Sequence, residues 1–124
     1  MPTLLWIASG VLAAMMLIAG LTKSLQTKEK LYQSGLTYVE DLPARFVRAL
    51  GVAEVLGAIG LVVPGLVGVA PTLVPIAALC VGVTMAGAVL VHARRSEWDK
   101  VLMPAALLVL AALVAWGRFG PWPL

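Results

Sequence analysis

One cysteine, one histidine and six acidic residues are all that this 124-residue chain offers to most kinds of chemistry. A lone Cys80 excludes an intrachain disulfide and a CxxC redox pair, and its place inside an apolar run makes it read as a small packed hydrophobe. A lone His92 excludes a histidine-rich metal site, so no metal is expected. The glycines lie within apolar runs and turns, not in a phosphate-cradling loop, and no side chains stand in a nucleophile-and-base pattern. Charge is scarce too. Only 12% of residues are Asp, Glu, Lys or Arg, against about 25% in soluble domains. The formal charge of +3 is not gathered into a basic face with interleaved aromatics, so nucleic acid is not an expected partner.

What the chain has in abundance is apolar surface. Hydrophobic residues make up 61% of it and the mean hydropathy is +1.00. A globule of this size cannot bury so much, because small domains hide only part of what the unfolded chain exposes. Lipid must act as solvent for the remainder. Four runs approach the roughly 20 residues that a membrane-spanning helix needs: about 4–21, 46–63, 73–91 and 101–116. Lys and Arg are absent before Lys23, which argues against a signal peptide and for a retained first helix. The second run is entered through Asp41-Leu42-Pro43 and ends at Pro64-Gly65, read as a stop and a tight turn. Pro71, Pro75 and Pro104 fall near helix starts, where a missing N–H is least damaging. The runs are too uniformly apolar for surface helices, and too long and unalternating for barrel strands. The expected fold is all-α: a single domain over 1–124, a bundle of four transmembrane helices.

The cations set its expected orientation. Lys23, Lys28, Lys30, Arg45 and Arg48 lie in or beside the first connection, and Arg94, Arg95 and Lys100 in the third. Both connections share one side, which reads as cytoplasmic and leaves the N and C termini on the non-cytoplasmic side of a cell membrane. Arg118 stays alone at the outer face, an expected anchor beside the belt residues Trp116 and Trp122, with Trp6 in the same belt and Trp98 at the cytoplasmic surface. The loop 22–45 is the only sizeable extramembrane segment. Lys23 to Tyr32 reads as a continuation of the first helix in the headgroup zone, closed by Ser34-Gly35, its lysines meeting anionic lipid. Gly35 to Asp41 reads as an extended return.

Glu54 is the most informative residue. It falls about 12 Å along the second helix, well inside a hydrocarbon core about 30 Å thick, where an ionisable group must be neutral, paired or hydrated. Gly51, Gly57 and Ala58 share its side of the helix and would admit a neighbouring helix closely. Lys23 closes the first span and His92 the third, on the same side of the membrane. Lys23, Glu54 and His92 are therefore the candidate cluster, as a proton-handling or ligand-binding site or as an interhelical clasp; both readings stay open. Arg48 lies about 240° around the helix from Glu54 and is expected to snorkel to phosphate. On the third helix Ala78, Gly82 and Ala86 form a stripe suited to close packing, and Thr84, Ala88 and His92 a partly polar one.

Several stretches resemble the DoxX-like family of small four-helix membrane proteins: Ala19-Gly20-Leu21-Thr22-Lys23, Val47-Arg48-Ala49-Leu50-Gly51-Val52-Ala53-Glu54-Val55-Leu56-Gly57-Ala58, Val91-His92-Ala93-Arg94-Arg95 and Ala115-Trp116-Gly117-Arg118-Phe119. Val55 stands where many relatives are expected to carry Leu. The resemblance implies a membrane subunit or accessory of a quinone-linked or oxidative-stress redox system, and quinone as the cofactor class. It is also consistent with a non-catalytic assembly or chaperone factor, or with a bundle that binds or transports a small molecule or lipid. Membrane lipids, a membrane-protein partner or further copies of the chain are the partners that follow.

Overall fold

Four long helices and one short one account for most of the chain. In the computed structural model, which describes residues 2–124, they are α1 (Pro2–Leu25), α2 (Lys28–Gln33), α3 (Ala44–Val67), α4 (Leu73–Arg94) and α5 (Leu102–Phe119). Short 3-10 turns cover Thr37–Asp41 and Trp98–Lys100, and no strand occurs among the described residues. α1, α3, α4 and α5 are long and apolar enough to cross a membrane. At a rise of about 1.5 Å per residue, a 24-residue helix such as α1 or α3 reaches roughly 36 Å, beyond the hydrocarbon thickness.

α1 packs on α3 and α5, and α4 packs on the same two, so the helices form a four-membered ring with α1 and α4 across from each other. Each contributes a narrow seam at helical spacing: Leu5, Leu12 and Met16 from α1, Ala58 and Leu61 from α3, Val74, Val81 and Met85 from α4, Leu107, Ala111 and Val114 from α5. The outer faces carry Leu4, Ile7, Ile18, Leu56, Ile59, Leu79, Val83 and Val109, all exposed. A soluble monomer does not leave so much contiguous apolar surface uncovered; a bilayer removes the penalty. The chain is an integral membrane protein.

The closest crossing is between α1 and α3, at Gly20 and Gly51. A Cβ built on Gly51 would lie 2.7 Å from the Gly20 carbonyl oxygen, and one on Gly20 would lie 2.6 Å from that of Gly51. Two hydrogens where side chains would stand let the backbones touch. On the far side of the ring, Gly82 faces Ala111 and Leu108, so the Ala78–Gly82 stripe packs on α5.

Five expectations need correction. The first helix does not run on to Tyr32. Thr27 adopts extended backbone and its hydroxyl accepts from the Lys30 N–H at 3.2 Å, so it caps a new helix. α2 ends through Ser34 and Gly35, whose φ of +105° turns the chain back, and the Leu36 N–H reaches the Leu31 carbonyl. Gly35 to Asp41 is not extended: it contains the 3-10 turn, which lays Val39 against Leu31 and Val47 in a small second core. Pro64 does not stop α3, because a proline this near the end removes only one ladder bond. The helix continues to Gly68, which takes the left-handed conformation and donates to the Pro64 carbonyl. Cys80 is exposed on the outer face of α4, with none of the packing expected for it.

Arg118 is also placed differently. It is at the end of the bundle that holds both termini, beside Trp122, but its side chain is buried, at 5% exposure, under the Trp6 ring.

Candidate functional site

The Gly20–Gly51 crossing sets up the site. With no side chain on Gly51, the Lys23 Cβ and the Ser24 N–H of α1 come directly over α3, one turn before Glu54. Lys23 Nζ then donates to Glu54 Oε1 at 2.8 Å and to Oε2 at 3.2 Å. Both residues are buried, Glu54 with 3% exposure and Lys23 with 8%. A carboxylate in mid-helix and an ammonium from a neighbouring span thus neutralise each other, as lipid requires.

His92 approaches the pair without bonding to either member. Its Nδ1 is 3.0 Å from Glu97 Oε1. The local backbone explains this contact. Ser96 adopts a left-handed conformation (φ +57°), and the Glu97 N–H folds back to the His92 carbonyl at 2.8 Å. That closure returns the Glu97 carboxylate to the last turn of α4. Tyr38, from the α2–α3 connection, packs edge-on against His92 with ring centroids 5.5 Å apart and planes at 88°. Burial raises the Tyr38 phenol above its usual range, the Glu54 carboxylate adds to the rise, and the Lys23 ammonium opposes it. Tyr38 therefore stands within electrostatic reach of the ion pair while touching His92.

A clamp holds this cover in place. Arg95 donates to Glu40, to Asp41 and to the Thr37 carbonyl (3.3 Å). Lys100 Nζ donates to the Gly35 carbonyl at 2.6 Å, and the Thr37 hydroxyl donates to Glu97. The α4–α5 connection thereby straps the Gly35–Asp41 segment across the loop end of the bundle. The bond to Glu40 is the main reason that the Arg95 guanidinium is held above its ordinary range. Glu97 receives bonds from Thr37 and then His92, with Lys100 and Arg95 nearby, and its carboxyl falls to about 2.

The sign of the Glu97 shift gives a pH window. A carboxyl lowered on folding contributes stability that is complete above its unfolded value, 4.5, and is lost as pH falls toward about 2. Glu40 and Asp41 also pair with Arg95, so a control is needed. Amide exchange across Gly35–Asp41, normalised to the intrinsic rate at each pH, should accelerate between pH 4.5 and 2 in the wild type. The increment should be smaller in Glu97→Gln, whose clamp is already loosened at neutral pH. Identical pH slopes would remove Glu97 from the clamp.

Two cavities meet at the polar group. One, of about 480 Å³, lies between α1 and α5 and is walled by Met15, Met16, Met85 and Met103. The other, of about 320 Å³, lies between α3 and α4 and is rimmed by Phe46, Gly87 and Val91, which are exposed on the outer face. Lys23, Tyr38, Glu54, Met85, Ala88 and His92 line both. The setting joins polar donors and a carboxylate to flexible thioether walls that adapt to an apolar guest.

Of the three residues expected to cluster, Lys23 and Glu54 bond directly, whereas His92 joins through shared cavity walls and Tyr38. Tyr38, Thr37, Glu97 and Lys100 were not anticipated. No spacing rule brings them to the site, since Thr37 and Glu97 meet only after the chain has crossed the bundle twice. Arg48 is exposed at the loop end, away from Glu54. No group of three His, Cys, Asp or Glu side chains suited to a metal occurs among the described residues.

A model of the DoxX-like family matches residues 7–114. No curated protein and no solved structure matches the chain.

Proposed function

This chain belongs to the DoxX-like family, and from that premise we propose that it is a membrane subunit or accessory of a quinone-linked or oxidative-stress redox system, binding the quinone head at the Lys23–Glu54 pair. The observation that carries this reading is a buried ion pair at the meeting point of two cavities, one of them rimmed by lipid-facing residues. A guest dissolved in the bilayer would reach polar groups there without crossing water.

The residues fit such a head. The Lys23 ammonium and the Tyr38 hydroxyl can donate to a carbonyl oxygen, and the methionine walls accept a ring of varied substitution. When bound, a quinone supplies two-electron, two-proton chemistry. Glu54 can hold a proton inside the membrane, and Lys23 fixes the position of its carboxylate. His92, kept in register by Glu97, stands between Glu54 and the loop-end surface, where protons exchange with water. Electrons would come from a partner subunit. The basic loop end would face the cytoplasm of a cell membrane.

The test is binding of a short-chain ubiquinone analogue to the chain in liposomes, followed by tryptophan quenching. Glu54→Gln and Tyr38→Phe should each weaken binding by about tenfold, equivalent to about 1.4 kcal/mol. Binding that is unchanged in both, or absent from the wild type, would sink the redox reading. An assembly factor is the second reading. Its observation is an apolar groove of about 260 Å³ beside Gly82, Ala86 and Ala112, whose small side chains would let the face of a client helix pack closely. Co-purification of a membrane protein that is lost in Ala86→Leu, with no quinone binding, would favour it.

A further inference from the structure

Among the described residues, Arg118 is the one charged side chain at the terminal end of the bundle. Glu29, Glu40, Asp41, Glu97 and Asp99 lie in α2 and the loop-end connections, and Glu54 is paired with Lys23. Among the described residues, no carboxylate forms an ion pair with Arg118. Yet the side chain is not spread over the surface, where water or headgroups could solvate it freely. It is buried, at 5% exposure, and lies 5.5 Å from the centre of the Trp6 ring.

Its protein partners do not balance its charge. The guanidinium has five N–H donors. Nη1 donates to the Trp122 carbonyl at 3.0 Å, and Nε is buried with no acceptor. The last carbonyls of α5 and the face of Trp6 add partial negative charge. These are dipoles and a quadrupole, not a counter-ion. A guanidinium stays charged at any ordinary pH, so it cannot escape by giving up its proton. A buried charge left this way calls for an anion.

We propose that Arg118, seated under Trp6 and held by the Trp122 carbonyl, is the centre of a phosphate-binding site at the terminal end of the bundle. The planar fork suits two oxygens of one phosphate. The depth suits it as well: Trp6 covers Arg118, Trp122 accepts from it and packs on Trp116, and tryptophans concentrate at headgroup level, where the phosphodiesters of lipids lie. The site is independent of the loop-end cavities and of the redox reading.

The experiment uses the full chain in neutral, phosphate-free detergent, with native mass spectrometry and three probes: phosphatidylglycerol, diacylglycerol with the same chains, and inorganic phosphate. The wild type should retain one phosphatidylglycerol at least about tenfold more strongly than diacylglycerol. Arg118→Gln should lose that advantage while keeping whatever the loop-end lysines bind. Displacement of the adduct by millimolar phosphate would identify the free anion as the source; resistance would identify the lipid. Equal retention by wild type and variant, or of both lipids, overturns the site. Thermal midpoints of Arg118→Met give a second reading. Without phosphate this variant should be at least as stable as the wild type, and with phosphatidylglycerol it should be less stable. A variant that is weaker by the same margin in both conditions, or folds in neither, overturns the proposal, because Arg118 then supports the fold with no anion.

Discussion

Lys23→Met should lower the stability of the bundle by about 3–5 kcal/mol, the usual effect of removing one partner of a buried ion pair. Glu54→Gln should do less. The two side chains differ in what they can do when left alone. Lys23 sits in the last turn of α1 on a long stem, and its ammonium can swing to the loop-end surface. Glu54 is on a short stem in mid-helix, at 3% exposure, and cannot swing to the surface. The double variant Lys23→Met/Glu54→Leu should recover most of the loss, because an apolar pair in lipid needs no compensation. It should bind no quinone analogue. Unfolding by SDS titration in mixed micelles, followed by circular dichroism, measures all three. Equal effects of the two single changes would mean that Lys23 has no escape to the surface. A double variant no better than Lys23→Met would mean that the pair stabilises the fold through packing, not through charge balance.

Gly51→Val should be the most damaging change that touches no charge. Its Cβ would meet the Gly20 carbonyl oxygen at 2.7 Å and the Ser24 nitrogen at 2.8 Å, and backbone atoms cannot rotate away. Either α1 and α3 separate or the helices distort, at about 1–3 kcal/mol or more. Separation also draws Lys23 off Glu54, so quinone-analogue binding should fall with stability. Gly10→Ala provides the contrast. It has open space around it, and replacing a helical glycine by alanine should stabilise by up to about 1 kcal/mol. If the same SDS titration shows both glycine variants behaving alike, close backbone approach is not what Gly51 provides.

The architecture was legible because lipid imposes coarse rules. Four apolar runs of spanning length, eight cations on two connections, and one carboxylate in mid-run give the bundle and the burial of Glu54 without any knowledge of contacts. The pairing with Lys23 was legible for a related reason: few polar groups exist, and small residues flank Glu54. The loop-end cover was not. Thr27 ends α1 through a side-chain cap that competes locally with helix continuation, and Ser96 adopts a backbone conformation usually left to glycine, so neither announces itself by residue type. Glu97 and Tyr38 join the site through contacts between distant parts of the chain, which no periodicity encodes. Arg118 was read as a surface anchor because arginine near tryptophan at a helix end commonly is one. Its burial follows from Gly117, against which Leu5 of α1 packs so closely that α5 is drawn inward there.

The strap across the loop end also gives synthesis an order. The ion pair is made entirely by α1 and α3, the first hairpin to leave the ribosome, while the residues that pin its cover, Arg95, Glu97 and Lys100, are made with the second. For the interval between the two, the nascent chain holds a finished charge pair beneath an unfastened flap.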